Sequence, residues 1–233
     1  MTTLLVHGGG HGAWCWERML PYLNGPALAL DLPGRGTRPA PLSEVTADLW
    51  AEAVVEEIQE LPDEPVNLVG HSLAGMVLPR VADRVPDRLR RLVFVSCTVP
   101  AEGQSALDTV TPEVKALAQE NLRQEIPQLL PEEVARGMFC SDMNEEQARF
   151  VLDRLVPEAW GPMLEPSRLA GLRRGIPASY VKLLADQTVP AALQDQMVAH
   201  IGEVEVEELD AGHDAMVSRP AELAALINRI CSR

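Results

Sequence analysis

Short runs rich in Val, Leu and Ile alternate with helical patterns along this chain, at residues 2–6, 27–30, 66–69, 91–96, 179–185 and 203–209. That alternation predicts parallel strands joined by crossover helices. The inner runs, such as Leu92-Val93-Phe94-Val95, are continuously apolar. Strands covered on both faces read this way, so helices are expected on each side of the sheet. The expected class is α/β, a mostly parallel sheet of about six strands with helices on both faces.

Two helices are marked by apolar spacing. Leu49, Ala53, Ile58 and Leu61 suggest a buried face between the second and third strands, and Leu223, Leu226, Ile227 and Ile230 a cleaner stripe entered through Ser218 and Pro220. Between residues 99 and 176 the strand pattern stops. Thr111-Pro112 resembles a helix start, and Asn144 with Gln147 fits a capping box ahead of Ala148, Val151, Leu152 and Leu155. Prolines at 100, 112, 127, 131, 157, 162, 166 and 177 divide the stretch into short helices. The expected organisation is a core of residues 1–98 and 178–233, with a helical insertion of lid size at 99–177 folding over the sheet edge.

Composition excludes several classes of function. The chain has 233 residues, is 46% apolar and carries a formal net charge of -14, with 20 basic against 34 acidic residues. Such a field repels nucleic-acid phosphates and anionic lipid, so neither nucleic acid nor membrane is an expected partner. No apolar run approaches the roughly 18 residues of a spanning helix, and the N-terminus lacks a basic, cleavable leader pattern. The expected location is cytoplasmic. Cys15, Cys97, Cys140 and Cys231 lack paired spacing for zinc or a redox couple and read as reduced.

The strongest motif is Val66-Asn67-Leu68-Val69-Gly70-His71-Ser72-Leu73-Ala74-Gly75, an apolar strand running into a helix with serine at the corner. A serine there adopts a strained backbone conformation that projects its hydroxyl from the sheet, and small residues on either side let strand and helix approach. Gly70 and Ala74 hold those places; the motif is usually written with glycine at both. The alternative is a serine that only caps the helix.

Directly after the first strand comes His7-Gly8-Gly9-Gly10-His11-Gly12-Ala13-Trp14-Cys15-Trp16. Acyl transfer develops negative charge on a carbonyl oxygen, and a glycine-rich loop can bring backbone N–H groups to it. The expected donors are the amides of Gly9 and Leu73. A dinucleotide site needs a different glycine register, so no cofactor is expected, and no metal is expected either.

A serine nucleophile needs a general base near neutral pH, and five histidines compete. His7 and His11 read as loop-shaping, His71 as structural beside the serine, and His200 as a packing residue. His213, after the last strand and before the final helix, is the expected base. An acid must then orient the imidazole, and the order serine, acid, histidine places it at a strand end between them. Asp186 is the choice over its reading as a turn residue, with Asp210 and Asp214 ranked second.

With these segments the sequence resembles the α/β-hydrolase superfamily, and within it the branch of plant methylesterases and hydroxynitrile lyases with their bacterial relatives. The resemblance spans nearly the whole chain, taking in residues 7–16, Asp31-Leu32-Pro33-Gly34-Arg35-Gly36, residues 70–75, residues 185–190 and Gly212-His213-Asp214-Ala215-Met216. Relatives often carry histidine where Arg35 stands. The lyases of the branch place threonine at the position of Gly8 and lysine at that of Asp214, so the resemblance implies hydrolysis rather than cyanide release, although Asp214 is not the usual esterase residue either.

The expectation is a serine hydrolase acting on a small or medium ester, with Ser72, His213 and Asp186 as triad and Met138, Phe139, Trp160 and Met163, with Leu164, as an apolar ceiling. Its partner is a small-molecule ester, and association into a homodimer is left open. The rival readings are a cofactor-free lyase or metabolite-tailoring enzyme that never acylates Ser72, and a ligand receptor of negligible turnover.

Overall fold

The computed structural model of the chain describes residues 1–123 and 130–233, so Pro127 lies outside the described residues. One sheet has the order β2-β1-β3-β4-β5-β6, built from β1 (Thr3–Val6), β2 (Ala27–Leu30), β3 (Val66–His71), β4 (Leu89–Val95), β5 (Ala178–Leu183) and β6 (Glu205–Leu209). Every pairing is parallel. The helices are α1 (Ala47–Glu60), α2 (Leu78–Arg84), α3 (Pro112–Arg123), α4 (Glu132–Phe139), α5 (Glu145–Leu152), α6 (Gly161–Leu164), α7 (Ala191–Ile201), α8 (Ala215–Ser218) and α9 (Pro220–Cys231).

Two apolar layers sandwich the sheet because successive side chains of a strand point to opposite faces. On one face Leu4, Val6, Leu68, Leu92, Phe94 and Tyr180 pack against Trp50, Val54 and Ile58 of α1, Leu78 and Val81 of α2, and Met197 of α7. On the other, Leu5, Val69, Val93, Val95 and Val181 meet Cys15, Trp16 and the α9 stripe of Leu223, Leu226, Ile227 and Ile230. Burying each such large side chain contributes about 1.5–3 kcal/mol, which is why the apolar inner strands settle here.

The structure corrects two local readings. In α1 the buried line runs through Trp50, Val54 and Ile58, while Leu49 is 38% exposed. Thr46 caps the helix by accepting the Leu49 N–H, and the helical screw then turns Trp50 rather than Leu49 to the sheet. Ser218 does not cap α9 either; it ends α8, and its hydroxyl donates to Asp142 Oδ2 at 2.8 Å. The capping box of Asn144 and Gln147 is present at α5. Between β4 and β5, α3 to α6 follow one another.

β1 lies between β2 and β3, so the connections leaving its carboxyl end and that of β3 diverge there. A crevice opens at such a switch point in open parallel sheets. The glycine-rich loop follows β1, and Ser72 follows β3.

Candidate active site

Ser72 turns out of β3 with φ 53°, in the left-handed region. That conformation costs an L-residue roughly 1–2 kcal/mol, so its neighbours must hold it. They do so through close packing: a Cβ on Gly70 would lie 2.5 Å from Leu78 Cδ1 and 3.0 Å from Ala74 Cβ. The Thr98 N–H donates to the Ser72 carbonyl at 2.9 Å. Across the crevice, a Cβ on Gly8 would come 2.7 Å from that of Ser72, so only glycine lets the loop after β1 reach the serine.

His213 Nε2 lies 3.0 Å from Ser72 Oγ, and its Nδ1 lies 2.6 Å from Asp186 Oδ2. The imidazole is buried, with Phe139 tilted over it at 5.7 Å between ring centroids. Asp186 takes three further hydrogen bonds: Ser96 Oγ donates to Oδ2 at 2.6 Å, and the Thr188 and Val189 N–H groups donate to Oδ1 at 2.7 and 2.9 Å. Burial alone would push this carboxyl up, but the His213 imidazole and these donors together bring it below the usual range. Burial likewise disfavours the imidazolium of His213, and the Asp186 charge outweighs it, leaving the pKa raised.

Sequence reasoning missed Ser96, which has φ 41° at the end of β4. A small polar residue at the carboxyl end of a central strand was the available signal.

The loop after β1 is pinned by side chains. His7 Nδ1–H donates to the Gly8 carbonyl at 2.8 Å, while its Nε2 accepts the Leu32 N–H at 3.1 Å, so the ring is neutral. Burial, then Arg35, lowers its pKa to about 3. His11 faces acceptors on both sides, with Nδ1 2.7 Å from the Gly9 carbonyl and Nε2 2.8 Å from Asp214 Oδ2. Gly10 N–H donates to Glu158 Oε2 at 2.8 Å, and Arg35 Nη2 reaches both oxygens of that carboxylate at 2.5 and 2.6 Å. Glu158 had no signal in the sequence.

Gly9 and Leu73 abut: a Cβ on Gly9 would lie 3.4 Å from Leu73 Cδ2. The Leu73 N–H belongs to the first turn of the 3-10 helix that begins at Ser72, where donors lack an intrahelical acceptor. His71 Nε2–H donates to the His213 carbonyl at 3.0 Å, and burial, then the neighbouring His213, lowers its pKa to about 3. His200 Nδ1 lies 2.8 Å from the Val99 carbonyl, and Asp210 is exposed.

The expected ceiling residues fall in different places. Phe139 packs edge-on to His11 at 5.0 Å as well as over His213. Met138 is half-buried, and its carbonyl accepts Thr188 Oγ1–H at 2.8 Å, beside Asp186. Met163 packs against the α1–α2 side of the core, on a helix that adjoins the turn after Ser72. Trp160, half-buried, precedes that helix, and Leu164 is 39% exposed.

Among the described residues, one trio has spacing suited to a metal ion: His71, His213 and Asp214. Both His213 nitrogens are engaged by Ser72 and Asp186, so an ion there would have to displace one of them. Two surface depressions, around Arg91 and Glu205 and around Asp48 and Arg84, contain none of the residues named for the site. No helix among the described residues is long and apolar enough to cross a membrane.

A parallel sheet sheathed by helices, with serine, histidine and aspartate meeting at its carboxyl edge, defines the class of α/β hydrolases. The chain belongs to the alpha/beta hydrolase family, whose family model matches residues 3–226. It is a distant member of the plant methylesterase branch and its bacterial relatives. Methylesterase 3 of Arabidopsis thaliana is 28% identical, over 99% of this chain and 95% of that one. Norfluorocurarine synthase 2 of a Strychnos species is 27% identical, over 99% of this chain and 95% of its own. Among solved structures, an extracellular alpha/beta-hydrolase from a Paenibacillus species, described as sharing structural and functional homology with tobacco salicylic acid binding protein 2, superposes with TM-score 0.90 at 25% identity. Each chain is covered to 98%.

Proposed function

We propose that this protein hydrolyses a small or medium carboxylic ester through an acyl-enzyme on Ser72. The observation that carries this reading is the hydrogen-bonded line from Ser72 Oγ through His213 to Asp186, on a backbone strained at the serine. His213 Nε2 takes the hydroxyl proton as Oγ attacks the ester carbonyl. Asp186 keeps Nδ1 protonated and stabilises the imidazolium that forms. The Gly9 and Leu73 amides receive the oxyanion. His213 then returns the proton to the departing alkoxide, and a water molecule, deprotonated by the same nitrogen, releases the acid and regenerates the serine. Phe139 shields His213 from water, and Met138, beside the Asp186 turn, adds an apolar side chain from the β4–β5 segment.

The esterase name of the relative above supports the same reaction class. The synthase supports a second reading, in which the site remodels a metabolite. A fluorophosphonate probe and a panel of aryl and methyl esters separate the two. The expected result is one adduct, at Ser72, with hydrolysis of at least one ester and loss of both in Ser72→Ala. An unlabelled Ser72 in a folded protein that still transforms a substrate would overturn the acyl-enzyme.

A further inference from the structure

Arg35 and Asp214, two of the positions where the chain departs from the pattern of its relatives, are each half of a buried pair, and both pairs reach the same peptide unit. The Gly9–Gly10 peptide has its carbonyl held by His11 Nδ1 at 2.7 Å and its N–H held by Glu158 Oε2 at 2.8 Å. Asp214 backs His11 at 2.8 Å, and Arg35 grips Glu158 with one nitrogen to both oxygens. All four side chains are at least nine-tenths buried. On the other side of Gly9, His7 Nδ1–H holds the carbonyl of the Gly8–Gly9 peptide at 2.8 Å. In a planar trans peptide that carbonyl and the Gly9 N–H point in opposite directions. Both peptides flanking the Gly9 α-carbon are therefore tied, in a loop whose glycines would otherwise leave it free to turn.

We propose that His11–Asp214 and Arg35–Glu158 are positioning residues that aim the Gly9 N–H at the oxyanion. The inference rests on the ester-hydrolase reading above. Charge gives it a sign. A carboxylate this close to a developing oxyanion opposes it, and each of the two here is matched by a donor, the Arg35 guanidinium for Glu158 and the His11 imidazole for Asp214. His11 meets acceptors at both nitrogens, so its ring is clamped between the Gly9 carbonyl and the Asp214 carboxylate. Removing a partner alone uncovers a charge or frees the ring, whereas a neutral replacement that keeps the hydrogen bonds preserves the aim. Asparagine at 214 can donate to Nε2 of a neutral His11 while Nδ1–H still holds Gly9. Glutamine at 158 can still accept from the Gly10 N–H with no charge for Arg35 to balance.

The experiment measures kcat and KM for 4-nitrophenyl butyrate and the rate of fluorophosphonate labelling, with thermal unfolding alongside. Asp214→Leu and Arg35→Met should each lower kcat and labelling about tenfold or more, with KM little changed, as misaimed groups do. Asp214→Asn should lose no more than about threefold, and adding Glu158→Gln to Arg35→Met should recover most of the loss. Unchanged kcat in a folded Asp214→Leu, Asp214→Asn as slow as the leucine variant, or a double variant no faster than Arg35→Met would overturn the proposal. Should the leucine variant not fold, the Arg35/Glu158 arm decides. Wild-type protein that neither labels nor hydrolyses would sink the hydrolase reading and this inference with it. Normal wild-type labelling with indifferent variants would sink the inference alone.

Discussion

Ser96 Oγ and His213 Nδ1 converge on one oxygen of Asp186, each at 2.6 Å. The carboxylate that orients the imidazole is thus itself held by a side chain 90 residues away in the sequence. A hydrogen bond to a charged acceptor contributes about 1.5–3 kcal/mol, so Ser96→Ala should destabilise the protein by that order in urea unfolding. With one donor gone, the Asp186 charge acts more strongly on His213. The acid limb of kcat/KM should then move to higher pH, with activity about 3–10-fold lower at neutrality, on the order of 1 kcal/mol of lost positioning. A limb that stays in place would show that Ser96 does not tune the dyad.

The left-handed backbone of Ser72 makes a separable statement about stability. Ser72→Ala should lower turnover by roughly six orders of magnitude, as loss of a nucleophilic serine does. Alanine keeps the strain, because it keeps the Cβ. Glycine removes that strain at some cost in unfolded-state entropy, and the balance should leave Ser72→Gly about 0.5–1 kcal/mol more stable than Ser72→Ala. Both variants are inactive, so the comparison of melting temperatures reads the backbone alone. Equal values would mean that the elbow is relaxed by its surroundings.

The convergence of Ser72, His213 and Asp186 was legible because each is marked by its local sequence. Ser72 sits in a strand–turn–helix signature, and Asp186 and His213 follow β5 and β6, whose parallel arrangement brings their carboxyl ends to one edge. The strands were legible for the same reason, although their ends moved. β3 continues past Val69 because Gly70 and His71 still pair with Phe94 and Val95, whereas β5 stops at Leu183 ahead of the turn that carries Asp186. What could not be read were contacts closed only by the fold. His11 and Asp214 are 203 residues apart, and Arg35 and Glu158 are 123 apart, with no local spacing that links them. Leu49 was misassigned because neighbouring apolar residues in α1 offer competing stripes, and the packing on α2 and the sheet chooses between them.

Asp186→Asn should preserve the fold and lose activity, since an asparagine amide can donate to Nδ1 and leave Nε2 protonated toward Ser72. That tautomer cannot take the hydroxyl proton, and the expected loss in kcat is about 10⁴-fold at neutral pH. In the wild type, the raised pKa of His213 places the acid limb of kcat/KM above the ordinary histidine value of 6.5. Rates measured from pH 5 to 9 check both claims. A wild-type limb well below 6.5 would mean that the Asp186 charge does not dominate the burial of His213.

Stability should respond to acid before the carboxylates titrate, because His7 and His71 are buried neutral with pKa values of about 3 against 6.5 for an exposed histidine. Between those values the unfolded chain binds protons that the native state refuses, so stability rises with pH and is lost as pH falls from 6.5 toward 3. His213 acts in the opposite sense. Its raised pKa contributes stability that is fully present below 6.5 and is lost as pH climbs through the folded value, so it adds no slope at pH 5. Asp186 and Asp214, both lowered, contribute stability that is lost only as pH falls below the ordinary aspartate value of 3.8. Near pH 5 the two depressed histidines should therefore give an uptake of about two protons on unfolding, a slope of about 3 kcal/mol per pH unit. Urea midpoints at closely spaced pH values measure it. His71→Asn, whose amide can still donate to the His213 carbonyl, should halve the slope; an undiminished slope would place the titration elsewhere.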